Sequence, residues 1–316
     1  MESKMKTTLI MMMFAGIFLT ACSEDDVLNY DFDTVEEAIL SIIAGTDSLE
    51  RLDGLDDGGA VDIGSNSGGG LGKIAADALS PMKIGRRIDS TSFERTVEIM
   101  GDSVAIVTST ATITGDFIII AFISLDTTVI DTFIKPFNME MIRKIKLRRV
   151  GTGEVRRLNW RIVGVTPVVG GTIASTIEFL EFSMISTAGD SLVITDPLNT
   201  FFNWRELPAF GPGDTVTVLL TLTNSSSFEA EMEMVLMHHG ARSRIDKGRK
   251  RLFDDGTHGD EVADDNVYTG NFRSRAIRGR MRHGFIDAID WGTIFDPTGE
   301  VNTKVMGLPY MIRRMR

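Results

Sequence analysis

One cysteine, four histidines, three tryptophans and three tyrosines in 316 residues leave this sequence short of the side chains that most often carry chemistry. A single cysteine excludes an intrachain disulfide, so stability must come from packed cores or a bound ion. The histidines (His238, His239, His258, His283) include no His-Glu-x-x-His spacing. His238 and His239 are neighbours on an expected strand, so they point to opposite sides and cannot easily share a metal. No Gly-x-Ser-x-Gly elbow occurs, and nucleophilic triads lack support. Sparse aromatics argue against a broad sugar-stacking platform, and Trp160, Trp204 and Trp291 are expected in the core. A net charge of −11 excludes nucleic-acid binding through bulk electrostatics. The apolar run from Leu9 to Leu19 is shorter than the ~20 residues a membrane-spanning helix needs.

That run has other features. Lys4 and Lys6 precede it, Leu19-Thr20-Ala21-Cys22 ends it, and Ser23-Glu24-Asp25-Asp26 follows. A positive segment, a short apolar stretch and small residues at the end have the form of a secretory leader. With the solitary cysteine directly after the small pair, the segment resembles the signal peptide and lipobox of bacterial lipoproteins. The resemblance implies removal of residues 1–21 and lipidation of Cys22, with several acyl chains giving stable membrane anchoring. Ser23 in place of aspartate implies sorting to the outer membrane, on its periplasmic face or at the cell surface. The acidic trio looks like a surface-export signal or, equally, a solvated tether over 22–33.

At 316 residues, 43% hydrophobic and 24% charged, the chain has globular composition and room for two domains. Asp33-Thr34 caps an expected helix, with Thr34 three residues before Glu37 and Val35, Ala38, Ile39 and Ile42 on one face, ending at Gly45. Residues 53–72 are rich in Gly, Asp and Ser and read as a mobile loop. Its Gly68-Gly69-Gly70-Leu71-Gly72-Lys73 is not a phosphate-binding loop, because Ser67 replaces the first glycine and Ile74 the hydroxyl ligand for magnesium. From Phe93 the pattern has period two. Ala105, Val107, Ser109, Ala111 and Ile113 alternate with threonines; Ile145 and Leu147 alternate with Lys144, Lys146 and Arg148; Leu158, Trp160 and Ile162 alternate with Asn159 and Arg161. Helix first and long strands after is an α+β order. With the closing strand Arg157–Val163, it is similar to the cystatin-like cone of the nuclear-transport-factor-2 superfamily, expected over 34–170.

Pro167 to Gly171 reads as a boundary. Beyond it Val216, Val218, Leu220 and Leu222 alternate with threonines, and Ala230, Met232, Met234 and Leu236 with glutamates. Turns are expected at Asp196-Pro197, Phe210 to Gly213 and Asn224 to Ser227, which indicates an all-β sandwich over 171–316. Two basic blocks, Arg143 to Arg161 and Arg242 to Arg251, are expected on outward strand faces and loops, solvated or in contact with an anionic glycan or lipid.

The densest motif is Asp254-Asp255-Gly256-Thr257-His258-Gly259-Asp260, continuing through Asp264-Asp265-Asn266-Val267-Tyr268-Thr269. It is similar to a segment of immunoglobulin-like modules in bacterial secreted proteins, with Asp264 and Asn266 in place of glycines. Asp254, Asp255, Asp260, Asp264 and Asp265 crowd carboxylates into one loop, which suits calcium. The alternative, which the sequence favours, is a loop that caps itself, with carboxylates accepting backbone N–H groups and Tyr268 packed inward. The sequence thus leads to a lipid-anchored envelope protein with a non-catalytic binding or structural role and an envelope protein or glycan as partner. The alternative is a hydrolase or isomerase using Asp116 or Glu98 in the cavity of the first domain. A cavity with converging carboxylates favours the enzyme; one filled by Ile, Phe and Met favours the binding role.

Overall fold

The computed structural model describes residues 32–46, 55, 60–63, 80–122, 130–203, 207–228, 233–241, 248–274 and 281–312. The helix α1 (Val35–Ala44) forms where the sequence signals it. Thr34 Oγ1 accepts the Glu37 N–H at 3.1 Å, and the Glu37 carboxylate accepts the Thr34 N–H at 3.2 Å, which completes a capping box. The rest is almost entirely strand: β1 (Val61–Asp62), β2 (Ser80–Met100), β3 (Val104–Phe122), β4 (Ile130–Arg149), β5 (Trp160–Val165), β6 (Val168–Thr172), β7 (Ile177–Ser186), β8 (Ser191–Ile194), β9 (Ala209–Phe210), β10 (Thr215–Asn224), β11 (Glu233–Ala241), β12 (Gly248–Leu252), β13 (Val267–Arg273), β14 (Met281–Asp290) and β15 (Thr303–Ile312), with a short helix α2 (Trp291–Phe295) between the last two.

One sheet runs β1-β2-β3-β4-β6-β15-β14-β11-β12, with β5 on β4 and β9 on β15; a second runs β13-β10-β7-β8. The first sheet curls into a half-barrel. Its far half packs face to face on the second sheet as a β-sandwich. Val218, Leu220 and Phe272 of the small sheet meet Met237, Ile286 and Leu308 of the large one.

This architecture overturns the expected α+β, cystatin-like cone over 34–170 followed by a separate sandwich. The reason is one of length. The 10-residue α1 spans about 15 Å, whereas the 19 residues of β3 span about 65 Å. The helix therefore covers one end of the inner face, where Ile39 and Ile43 pack on Ala105, Val107, Ile145 and Leu147. The remainder of that face is covered by the chain's own distant part. Ile113, Phe117, Ile119, Met139 and Met141 pack against Leu236, Phe285, Ile289, Trp291 and Ile294. The segment read as a boundary forms β6, hydrogen-bonded to β4 on one side and β15 on the other. Its glycines permit this: a Cβ at Gly170 would lie 2.1 Å from the Glu140 carbonyl oxygen, and one at Gly171 would lie 2.5 Å from that of Thr303.

Three local expectations also change. Arg156–Asn159 forms a 3₁₀ turn rather than strand, because both ends of the Asn159 amide bond Gly153; Leu158 is exposed and the strand begins at Trp160. Arg143 is buried rather than outward: it shares the inner face of β4 with Met141 and Ile145. Opposite it on β3 is Ser109, and opposite Ser109 on β2 is Arg95, so a polar belt separates the helix-covered end from the larger core. β11 is buried on both faces, Met234 and Leu236 on one and Val235 and Met237 on the other, because it lies between the two cores.

The half-barrel is tied across its interior by Arg86 of β2 and Asp287 of β14. The guanidinium grips the carboxylate through both nitrogens, Nη2 to Oδ1 at 2.9 Å, and each side chain is 3% exposed. Removing one partner strands the other charge without water. Asp287→Ala is expected to lower stability by about 3–5 kcal/mol, read as a shift in the urea midpoint. Arg86→Met combined with Asp287→Leu should recover most of that loss. A single-mutant loss within about 0.5 kcal/mol of zero would show that the pair does not hold the curl.

Candidate functional site

The interior of the half-barrel is the first place to look for chemistry, and side chains fill it. Besides its apolar lining it holds the Arg86–Asp287 pair and His238, whose ring lies 5.6 Å from that of Phe285. The void beside these groups measures about 20 Å³, room for a single water and no substrate. Asp116 and Glu98, the candidate acids of the enzyme reading, both face away from it. Asp116 lies on the outer face of β3, paired with Arg87, and Glu98 is exposed on β2. A wider depression of about 590 Å³ opens at the hairpin tips near the start of α1, lined by Asp102, Arg149, Glu154, Arg156 and Trp160. Arg149 donates to the Gly151 carbonyl there and Arg156 to that of Phe32, so these cations already serve the local backbone.

Lys135 is another charge in the interior. Its ammonium donates to the carbonyls of Thr293 (2.8 Å), Gly292 (3.4 Å) and Asp296, closing the C-terminal end of α2. Burial pulls its pKa down to about 8, partly opposed by Asp296 and Asp290. Nothing in the sequence marked it. A lysine in a run of alternating residues reads as solvent-facing until the partner helix is in place.

The acidic loop joins β12 to β13. It brings Asp254, Asp260 and Asp265 together, with one oxygen of each within 4.8 Å of the others. Each also accepts backbone N–H groups: Asp254 from Asp265 (3.1 Å) and Asn266 (2.8 Å), Asp260 from Gly256 (2.8 Å), and Asp265 from Val267 (3.0 Å). Asp255 turns elsewhere. It accepts from the Thr257 N–H and hydroxyl and lies 3.1 Å from His258 Nδ1. Asp264 stands outside the trio and supplies a left-handed turn residue (φ 59°), as do His258 (55°) and Asn266 (64°). Burial raises the pKa of Asp254, its two N–H donors oppose that, and the neighbouring acids add to it. Burial also works to raise Asp255, but its bonds to Thr257 and His258 outweigh this and hold it below the usual carboxylate range. Tyr268 is packed inward, and its hydroxyl donates to Glu233 at 2.5 Å. Burial, then the Glu233 carboxylate, holds that hydroxyl far above its ordinary pKa.

Three of the four histidines have described side chains, and these are kept apart. His238 faces the half-barrel core, His239 stacks at 4.7 Å on Phe272 in the sandwich core, and His258 stacks at 4.2 Å on Phe253 at the surface. Trp160 and Trp291 are buried. Cys22 and its lipobox, most of the Gly-rich loop over 53–72, and Trp204 lie outside the described residues. No protein family, curated protein or solved structure matches the chain.

Each of the three clustered carboxylates accepts at least one N–H from within the loop. Asp254→Ala, which leaves two N–H groups without their acceptor, is expected to cost about 1–3 kcal/mol in urea unfolding. Melting curves in chelator and in millimolar calcium are expected to coincide. A rise of several degrees in calcium, lost in Asp260→Ala, would instead make Asp254, Asp260 and Asp265 a metal centre. For Lys135, one lysine Nζ resonance should titrate near pH 8 in the folded chain and vanish in Lys135→Met. Because this folded pKa lies below the unfolded value of 10.5, the unfolded chain holds the extra proton between them. The residue's contribution to stability therefore improves as pH rises from about 8 to 10.5.

Proposed function

We propose that this chain is a lipid-anchored protein of a bacterial envelope whose folded part has a binding or structural role rather than a catalytic one. The observation that carries the non-catalytic reading is the filled half-barrel: Ile113, Phe117, Met139 and Met141 occupy the space a substrate would need. Asp116 and Glu98 stand outside it. The anchor rests on the sequence alone, through Leu19-Thr20-Ala21-Cys22 and the solitary cysteine. The acidic segment Asp254 to Thr269 supports kinship of the sandwich half with the immunoglobulin-like modules of secreted bacterial proteins. Ser23 and the acids after it favour the outer membrane, on its periplasmic face or outside.

A full-length chain expressed in a Gram-negative host should incorporate a fatty-acid probe and fractionate with the outer membrane. Cys22→Ala should lose the label and leave that fraction. Equal labelling of the two chains would defeat the proposed anchor.

A further inference from the structure

The end of the large sheet that α1 covers on its inner face carries a cluster of cations on its outer face. Lys144, Lys146 and Arg148 of β4 point outward there, since Ile145 and Leu147 between them are buried against α1. β5 adds Arg161, directly opposite Arg148 in the antiparallel ladder. Side chains so placed share a face, with Cβ atoms about 5 Å apart, and like charges there repel. Both arginines are exposed, and neither pairs with a carboxylate among the described residues. Lys146 lies 5.7 Å from the ring centre of Phe201, and Lys144 reaches the Asn199 side chain at 3.4 Å. In the rows that these β4 residues form with β3 and β2, the one carboxylate is Glu98, two strands from Lys146 and so about 10 Å away. A chain of net charge −11 therefore gathers four cations at one end of a sheet, two of them directly opposed. Such a gathering costs stability by itself, and an anionic partner relieves it.

The same end of the sheet receives the chain from its start. Arg156, in the turn between β4 and β5, donates to the Phe32 carbonyl, which places Phe32 beside the last residues of β4 and the first of β5. Cys22 is ten positions earlier, and ten residues reach at most ~35 Å. Met100 belongs to this end as well. It stands in one row with Val104, Arg148 and Arg161 and is 53% exposed.

We propose that this face docks on the headgroups of the bilayer that holds Cys22, with Arg148 and Arg161 on lipid phosphates and Met100 at the apolar boundary. The inference rests on the lipid-anchor reading for the nearness of a bilayer, and on the cation cluster for recognition. A guanidinium fork matches phosphate geometry, and basic residues close to an anionic leaflet are drawn to it. The division of labour is plain. Acyl chains retain the protein, but a tether of ten residues leaves the folded part free to turn. A charged face against the headgroups fixes which side looks outward.

The test is cosedimentation of the full chain carrying Cys22→Ala, which has no acyl chain, with vesicles of phosphatidylglycerol in phosphatidylcholine and of phosphatidylcholine alone. Partition is expected to favour the anionic vesicles and to fall as salt rises. Adding Arg148→Gln with Arg161→Gln should lower it about thirtyfold, at the usual contribution of a cation near an anionic surface. Circular dichroism should be unchanged and melting no lower, because an opposed like-charge pair is removed. Lys83→Gln with Lys250→Gln takes the same charge from exposed positions elsewhere and should change partition little. Residues 1–21 are common to every variant and cancel in the comparison. The outcome does not depend on whether Cys22 is lipidated, which the fatty-acid probe decides separately. Equal partition onto both kinds of vesicle, as would follow if Glu24, Asp25 and Asp26 occupied the patch, would overturn the proposal. Equal losses in the two double variants would overturn it too. So would retention on an anionic polysaccharide that Arg148→Gln with Arg161→Gln abolishes while vesicle partition stays the same, which would assign the patch to a glycan.

Discussion

Arg86 and Asp287 meet inside a curled sheet where neither retains appreciable water. Taking two ions out of water costs several kcal/mol apiece, and the attraction between them roughly returns that cost only when the geometry is good. The pair is therefore not a source of net stability, but it gives direction. The apolar contacts around it, Ile84 and Phe117 against Ile289 and Leu236, would tolerate a range of curvatures. A two-pronged hydrogen bond between β2 and β14 tolerates only one. The strands it joins are far apart in the sheet order, so the pair spans the bend of the sheet.

The need to bend comes from β3 and β4. Their inner faces are apolar over most of their length, broken at the belt of Ser109 and Arg143 and at Lys135. A flat sheet with that stripe would leave more than half of it in water after α1 had covered its share. Curling brings β11 and β14 onto the stripe, and α2 fills the remaining corner, with Lys135 satisfying its last carbonyls. Because β11 and β14 also form one wall of the sandwich, the two cores share a wall two side chains thick. Met234 and Leu236 belong to one core, Val235 and Met237 to the other.

Much of this was legible residue by residue and little of it globally. Period two marked the strands, and Thr34 with Glu37 marked the start of the helix, because both signals are local. The alternation in Ala105 to Ile113 identified an inner face but carried no information on what would cover it, and a nearby helix was the economical guess. Arg143 was misread, and Lys135 went unmarked, for one reason: a cation in an alternating run is outward by default, and only a distant partner can make it inward. The acidic loop was legible as a loop. The side chain that fastens it to the core, Tyr268 to Glu233, joins residues 35 apart whose proximity depends on the sandwich.

The same packing decides where function can reside. Among the described residues the half-barrel leaves room for one water and the sandwich core is closed by Phe272, Leu220 and Tyr310, so what the fold exposes is its rims, loops, edges and outer sheet faces. Those surfaces differ in how well they can hold a shape. The acidic loop is held by its own N–H groups, four of which bond Asp254, Asp260 and Asp265. The hairpin-tip depression spends its arginines on nearby carbonyls. An edge strand is different, because its outward N–H and C=O groups are fixed at regular spacing by the ladder on its other side. In a sheet held to one curvature by Arg86 and Asp287, that spacing is preset before any partner arrives. Binding along it then costs the protein little ordering entropy, which is the condition under which a modest contact area gives useful affinity.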